Sequence, residues 1–354
     1  MDMSKNKLTI FVICCGFFLA NSLISSCGDS KSSKQQDTQT SKSTDDALVS
    51  NNEAIQKNKM PADAWKAPDE SKIPAGEEGE MIRYGKELIA NTAAYLGPKG
   101  KVGVFSNGLN CQNCHLDAGT RIYGNNYAAV MSSYPKVTAR SGTVTSPIDR
   151  IKGCFERSLN GKMPDSTSKE IKAMVAYMAW LNQGVEKPEE MFGRGAEKIA
   201  FLDRPADPKK GAQLYAAKCQ SCHGENGEGM PNPDGKTFFY PPLWGNLSYN
   251  DGAGMYRLSN FAGFIKNNMP FGATYENPQL TDEESWDIAA FVDSQSRPHK
   301  DPTGDYPDLK KKPIDAPYGP YGDKFSETEH KYGPFQPIKD AYKTKSEIKT
   351  NNQK

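Results

Sequence analysis

Cys111-Gln112-Asn113-Cys114-His115 opens a segment that runs to Cys154-Phe155-Glu156-Arg157-Ser158-Leu159-Asn160-Gly161-Lys162-Met163-Pro164. At the Cys-x-x-Cys-His spacing, two thiols can form thioethers with haem vinyl groups while the adjoining His offers a ring nitrogen to iron. The same motif recurs as Cys219-Gln220-Ser221-Cys222-His223. Each copy follows a helical pattern bearing a glycine (Gly85, Gly211). Each is followed by loops, a short helix, Met-Pro and a last helix with a Trp. His115 to Met163 is 48 residues and His223 to Met269 is 46, so one plan is written twice. A zinc or redox dithiol reading of one motif does not explain this repetition. The sequence therefore predicts an all-α protein of two tandem cytochrome c-like domains, 79–192 and 193–297, holding two covalent c-type haems through Cys111, Cys114, Cys219 and Cys222.

Helical spacing places the main elements. Met81, Tyr84, Leu88 and Ile89 mark a helix over 80–96, with Gly85 on the same side to admit a close neighbour. Pro147 precedes a helix carrying Cys154. Ile171, Met174, Val175, Met178 and Leu181 line one over 169–182. In the second half, helices are expected over 209–218, 255–267 and 281–294, the last capped by Thr281 with Glu284 three residues on.

The ends read differently. Lys5 and Lys7, then the apolar run from Leu8 to Ala20, then Leu23-Ile24-Ser25-Ser26-Cys27, give a lipoprotein-type signal over 1–26 with Cys27 as the lipidated residue. Residues 27–78 are mostly Ser, Lys, Asp, Gln, Thr and Asn, and are expected to form a flexible tether from a membrane on the periplasmic or cell-envelope side. Beyond 297 come eight Pro and eleven Lys with no helical period, so 298–354 is expected to be an extended tail over the domains. Formal charge is +1, which gives no footing for nucleic acid.

Cysteine and histidine arithmetic narrows the iron ligands. Of eight Cys, two leave with the signal, one is lipidated and four bind haem, so Cys154 remains. Apart from His115 and His223 there are only His299 and His330, both in the tail, which excludes bis-His ligation of both haems from within the domains. For the second haem the distal ligand is most simply Met269, a soft neutral thioether. For the first, the repeat favours Met163 and the leftover thiol favours Cys154. Arg150, Cys154 and Ser158 fall at i, i+4 and i+8 on one helix face, a cation, a sulfur and a hydroxyl suited to an oxyanion. Arg140 is a further cation candidate.

Several stretches together resemble the dihaem thiosulfate dehydrogenase / tetrathionate reductase family over residues 79 to 297. In the first half these are Leu109 to Gly119, Ala139-Arg140-Ser141-Gly142, Asp149-Arg150-Ile151 and Cys154 to Gly161. In the second they are Tyr240 to Gly245, Asn250 to Met255 and Phe264 to Pro270. The resemblance implies an enzyme joining two thiosulfates into tetrathionate with release of two electrons, or the reverse. It implies His115 and Cys154 as ligands of the active-site haem, with Met163 structural. It places substrate cations at Arg140 and Arg150 with Ser158 beside them, and an electron-relay haem with His223 and Met269. It further implies a soluble or membrane electron-carrier protein as partner. Some members carry Lys before the second-haem Met; here that position is Asn268.

Overall fold

A computed structural model describes residues 58–351, apart from 234 and 236 and the side chains of 344–351. The signal, Cys27 and the first part of the tether lie outside the described residues.

The first domain is built on helices α1 (Gly76–Ala90), α2 (Pro147–Arg157) and α3 (Lys169–Leu181). The buried side chains Ile82, Leu88, Ile89, Ile151, Phe155, Ile171, Met174, Tyr177 and Leu181 form its core. The helix expected over 80–96 divides at Asn91, with a short second helix over Thr92–Leu96. Ser146 and Asp149 form a capping box at the start of α2, and Pro147 occupies its first turn, where a missing N–H costs nothing. The second domain repeats this with α4 (Pro208–Lys218), α5 (Leu258–Asn268) and α6 (Asp282–Ser294). Thr281 and Glu284 make the expected capping box on α6.

The glycines explain how the first and last helices of each domain cross. A Cβ at Gly85 would lie 2.0 Å from the Ala173 carbonyl oxygen of α3, and one at Gly211 would lie 1.9 Å from the Asp287 carbonyl oxygen of α6. Backbone meets backbone at both crossings, which only glycine permits. Among the described residues, strands are confined to two small antiparallel pairs, Lys136–Val137 with Val144–Thr145 and Met230–Pro231 with Phe238–Tyr240.

The two halves are joined by side-chain amides. Asn250 Nδ2 donates to the Glu156 carbonyl and to Asn160 Oδ1, both at 2.9 Å, and its backbone N–H donates to the Arg157 carbonyl. Asn107 Nδ2 donates to the Ser248 carbonyl at 2.8 Å.

Both ends depart from expectation. Within the predicted tether, residues 58–78 are packed: Ala64 and Ile73 are buried, and Arg83 Nη2 donates to the Ile73 carbonyl at 3.2 Å. A few apolar anchors suffice, and an average over a polar segment hides them. The C-terminal segment does run over the domains, irregular as far as 326 apart from a 3-10 turn at Leu309–Lys311, but it then forms helices Glu327–Tyr332 and α7 (Phe335–Asn351). Phe335 and Ile338 are buried in the second-domain core, with the Phe335 ring 5.6 Å from that of Trp286. Pro337 sits in the first turn of α7, where it is tolerated. Phe335, Ile338 and Tyr342 supply a helical period inside the Lys-rich composition.

Candidate active site and electron-transfer site

The first cavity, of about 150 Å³, is lined by Cys111, His115, Tyr127, Tyr134, Arg150 and Cys154 among others. His115 is oriented from behind. Its Nδ1 pairs with the Asn125 carbonyl at 2.5 Å, and its ring stacks on Tyr127 with centroids 4.3 Å apart. An imidazole held through Nδ1 presents Nε2 to whatever fills the cavity. Asn125 has a φ of 55° and also donates from Nδ2 to the Cys114 carbonyl at 3.1 Å, fixing the loop that closes over His115.

Electrostatics separates the three thiols of this domain. Burial pushes Cys111 and Cys114 up to about 12. Burial opposes ionisation of Cys154 too, but Arg150, a hydrogen bond with His115 and the charge of Arg157 outweigh it and bring Cys154 down to about 7. Tyr134 shares the cavity wall with Arg150 and favours the charged guanidinium.

Of the residues singled out in the sequence, Arg150 and Cys154 therefore meet His115 on one wall. Ser158 is the C-cap of α2, its N–H bonded to the Cys154 carbonyl, and it does not line the cavity; neither does Met163, which packs against the first-domain core. Arg140 is not on the wall either: its Nη1 donates to Asp305 Oδ2 at 2.6 Å and to the Tyr318 hydroxyl at 3.1 Å. Arg157 Nη2 donates to the other oxygen of Asp305 at 2.9 Å. Sequence reading gave no role to Tyr134, Asn125 or Asp305. The aromatic character of the loop was the only signal for the first, and nothing local announces the other two.

The second cavity, of about 420 Å³, is lined by Cys219, Cys222, His223, Tyr249, Met255 and Met269. His223 Nδ1 pairs with the Pro241 carbonyl at 2.9 Å, and burial holds the imidazole below its ordinary value, which keeps the ring neutral. Met269 follows directly on α5. Asn268, beside it, spends its Nδ2 on the Phe264 and Tyr123 carbonyls. Asn113, Cys114, Leu116 and Arg121 of the first domain also line this cavity, so the first attachment loop forms part of the second site's wall. Asn125 spans the two, because its Nδ2 also lies 3.7 Å from Met255 Sδ.

The model for the SoxA/TsdA cytochrome c domain matches residues 103–186, and the cytochrome c model matches residues 208–296. A thiosulfate dehydrogenase of Psychrobacter arcticus is 42% identical over 250 residues, covering 68% of this chain and 73% of that protein. One from Allochromatium vinosum is 39% identical over 250 residues, covering 69% and 89%. The chain belongs to the thiosulfate dehydrogenase family. A solved structure of the thiosulfate dehydrogenase TsdBA of Marichromatium purpuratum, in its as-isolated form, superposes with a TM-score of 0.62 at 33% identity. The match covers 67% of this chain and half of that one.

Family members of this kind carry two c-type haems, and the cavities fit them. In the second, Cys219, Cys222 and His223 line one space; in the first, Cys111 and His115 do, while Cys114 borders the second cavity. Arg157 Nε and Arg297 Nε are buried without a hydrogen-bond partner, donors suited to the carboxylates a haem brings. Arg297 lies over the ring of Tyr249, which lines the second cavity, at 4.4 Å.

Proposed function

We propose that this chain is an oxidoreductase interconverting thiosulfate and tetrathionate at the first cavity. The observation that carries this reading is that the thiol of Cys154, the cation of Arg150 and the imidazole of His115 share one wall, while Met163 lies off it. His115 and Cys154 would hold one haem iron, and His223 and Met269 the other. Haem, when bound, supplies the one-electron couples that take up or return the two electrons of the reaction.

The chain's own residues do the rest. The terminal sulfur of one thiosulfate bonds to Cys154 Sγ as two electrons leave. The terminal sulfur of a second thiosulfate then attacks that outer sulfur, releasing tetrathionate and returning Cys154 as the thiolate. Arg150 keeps Cys154 and its neighbours compatible with anions, and Tyr134 beside it favours the charged guanidinium. His115 is kept in one orientation by Asn125 and Tyr127.

The second cavity, whose wall includes Cys114, is the relay toward an electron-carrier protein. Phe271 lines that cavity and is 88% exposed, an apolar contact at the surface where a partner could dock. Export and lipidation at Cys27, with a membrane-tethered place in the cell envelope, rest on the signal and lipobox pattern and on covalent haem attachment being an extracytoplasmic process. Cys27→Ala is expected to abolish incorporation of labelled fatty acid; retained labelling would refute the anchor.

The activity is tested on the purified dihaem protein in both directions, with thiosulfate and a one-electron acceptor and with tetrathionate and a low-potential donor. Turnover in neither direction would overturn the assignment.

A further inference from the structure

Joining two thiosulfates requires two dianions to approach within bonding distance, and this places a demand on nearby positive charge. The cavity wall supplies one cation, Arg150. Arg140 and Arg157 are already occupied by the carboxylate of Asp305. The remaining charge must come from elsewhere around the opening.

Tyr134 and Lys136 of the segment before α2, with Arg194 of the connection between the domains, define that surrounding. Tyr134 lines the cavity together with Arg150. Lys136 Nζ lies 4.9 Å from the centre of the Tyr134 ring, and Lys136 is held in place by strand pairing opposite Thr145, just ahead of the capping residue of α2. Arg194, from the connection between the domains, donates through Nη2 to Ser133 Oγ at 3.1 Å and through Nη1 to the Pro188 carbonyl at 3.0 Å. Among the described residues, none of Arg150, Lys136 and Arg194 has a carboxylate partner. Partial burial, then the charges of Arg194 and Arg150, bring the Lys136 ammonium below its ordinary value, as expected for cations gathered close together.

We propose that Lys136 and Arg194 form, with Arg150, an anion-receiving mouth that binds the second sulfur-oxyanion dianion and sets specificity for doubly charged substrates. This rests on the proposed activity and deepens it. Arg150 serves the dianion at Cys154, and Lys136 and Arg194 hold the incoming one at the rim, where it can approach the outer sulfur. Each rim cation is tied to the loop around Tyr134 through a ring face or a hydroxyl.

The test uses the dihaem holoprotein and the variants Lys136→Gln, Arg194→Gln and the double, with Lys136→Arg and Arg194→Lys as charge-retaining controls and Lys209→Gln as a distant one. Each Gln variant is expected to raise KM for thiosulfate roughly three- to tenfold, with kcat within about twofold. The double variant should flatten the fall of kcat/KM with ionic strength. The charge-retaining variants should restore most of the affinity, and Lys209→Gln should match wild type. Calorimetric titration of the oxidised holoprotein with thiosulfate reads binding without turnover and should weaken in parallel. A double variant with intact haem content whose KM, salt dependence and thiosulfate affinity equal those of wild type overturns the proposal. If the double variant does not load haem, the single variants decide by the same criteria. Absence of turnover in the wild type, with thiosulfate binding that still depends on Lys136 and Arg194, overturns the activity and leaves the mouth standing. Absence of both overturns both.

Discussion

Asp305 Oδ2 accepts from Arg140 Nη1 at 2.6 Å across 165 residues of sequence. Its other oxygen takes Arg157, on the helix that carries Cys154, so the C-terminal segment is tied by one carboxylate to two parts of the first domain. Tyr306 completes the clasp, its N–H donating to the Arg140 carbonyl at 2.7 Å. Removing one partner of a buried ion pair leaves the others uncompensated and costs about 3–5 kcal/mol. Here the two guanidinium groups remain 25% and 18% exposed, so the loss should be smaller. Asp305→Asn is expected to lower unfolding stability by about 2 kcal/mol in denaturant titration of the holoprotein. An unchanged midpoint would show that the clasp contributes nothing.

Cys154 and Met163 make opposite predictions. Cys154→Met should reduce turnover in both directions by about 100-fold or more, as expected when a covalent partner is lost, and should change the oxidised spectrum of one haem only. Met163→Leu should leave that spectrum intact and cost under about 1.5 kcal/mol of stability, because the volume is conserved in a packed site. The reverse pattern would hand the ligand role to Met163.

The helix crossings at Gly85 and Gly211 leave no room for a methyl group. Alanine gains up to about 1 kcal/mol in helix propensity. It must also push a carbonyl aside, and overpacking typically costs about 1–3 kcal/mol. With rigid backbone at 2.0 and 1.9 Å the second effect should win. Gly85→Ala and Gly211→Ala are each expected to destabilise by about 2 kcal/mol in chemical unfolding, the first loosening the first domain and the second the other. Stabilisation in either case would mean that the helices can part freely.

What could be read in the sequence was what repeats or acts locally. The two Cys-x-x-Cys-His motifs, the capping pair Thr281 and Glu284, and the glycine needed for a close helix neighbour are all short-range statements, and the structure shows each in place. The i, i+4 row of Arg150 and Cys154 lies on one wall, but its next step, Ser158, falls at the helix end where the row leaves the cavity. The pairing of Arg140, a candidate substrate cation in the sequence, with Asp305 spans 165 residues, and no local pattern encodes it. The same limit hid α7, where three apolar residues at helical spacing were diluted by lysines and masked by Pro337. Asn125 required knowing that its backbone turns to positive φ, a property of the closed loop.

Asp293 gives the stability of the second domain a pH dependence of unusual sign. Its carboxylate is 1% exposed. Its nearest partners are Arg297 at 3.7 Å and the Tyr249 hydroxyl at 3.5 Å, and Oδ2 has no hydrogen bond. Burial pushes the carboxyl up to about 7, against the lowering influence of Arg297 and Lys331. An unfolded chain releases this proton near 4. Between those values the folded protein holds a proton that the unfolded one has lost, so this group makes stability fall as pH rises from about 4 to about 7 and level off above. Asp293→Asn keeps the shape and removes the titration. Denaturant unfolding of the holoprotein across that range should show a downward slope in wild type that is shallower by about one proton in the variant. Parallel slopes would mean that Asp293 is ionised throughout and that Arg297 fully compensates its burial.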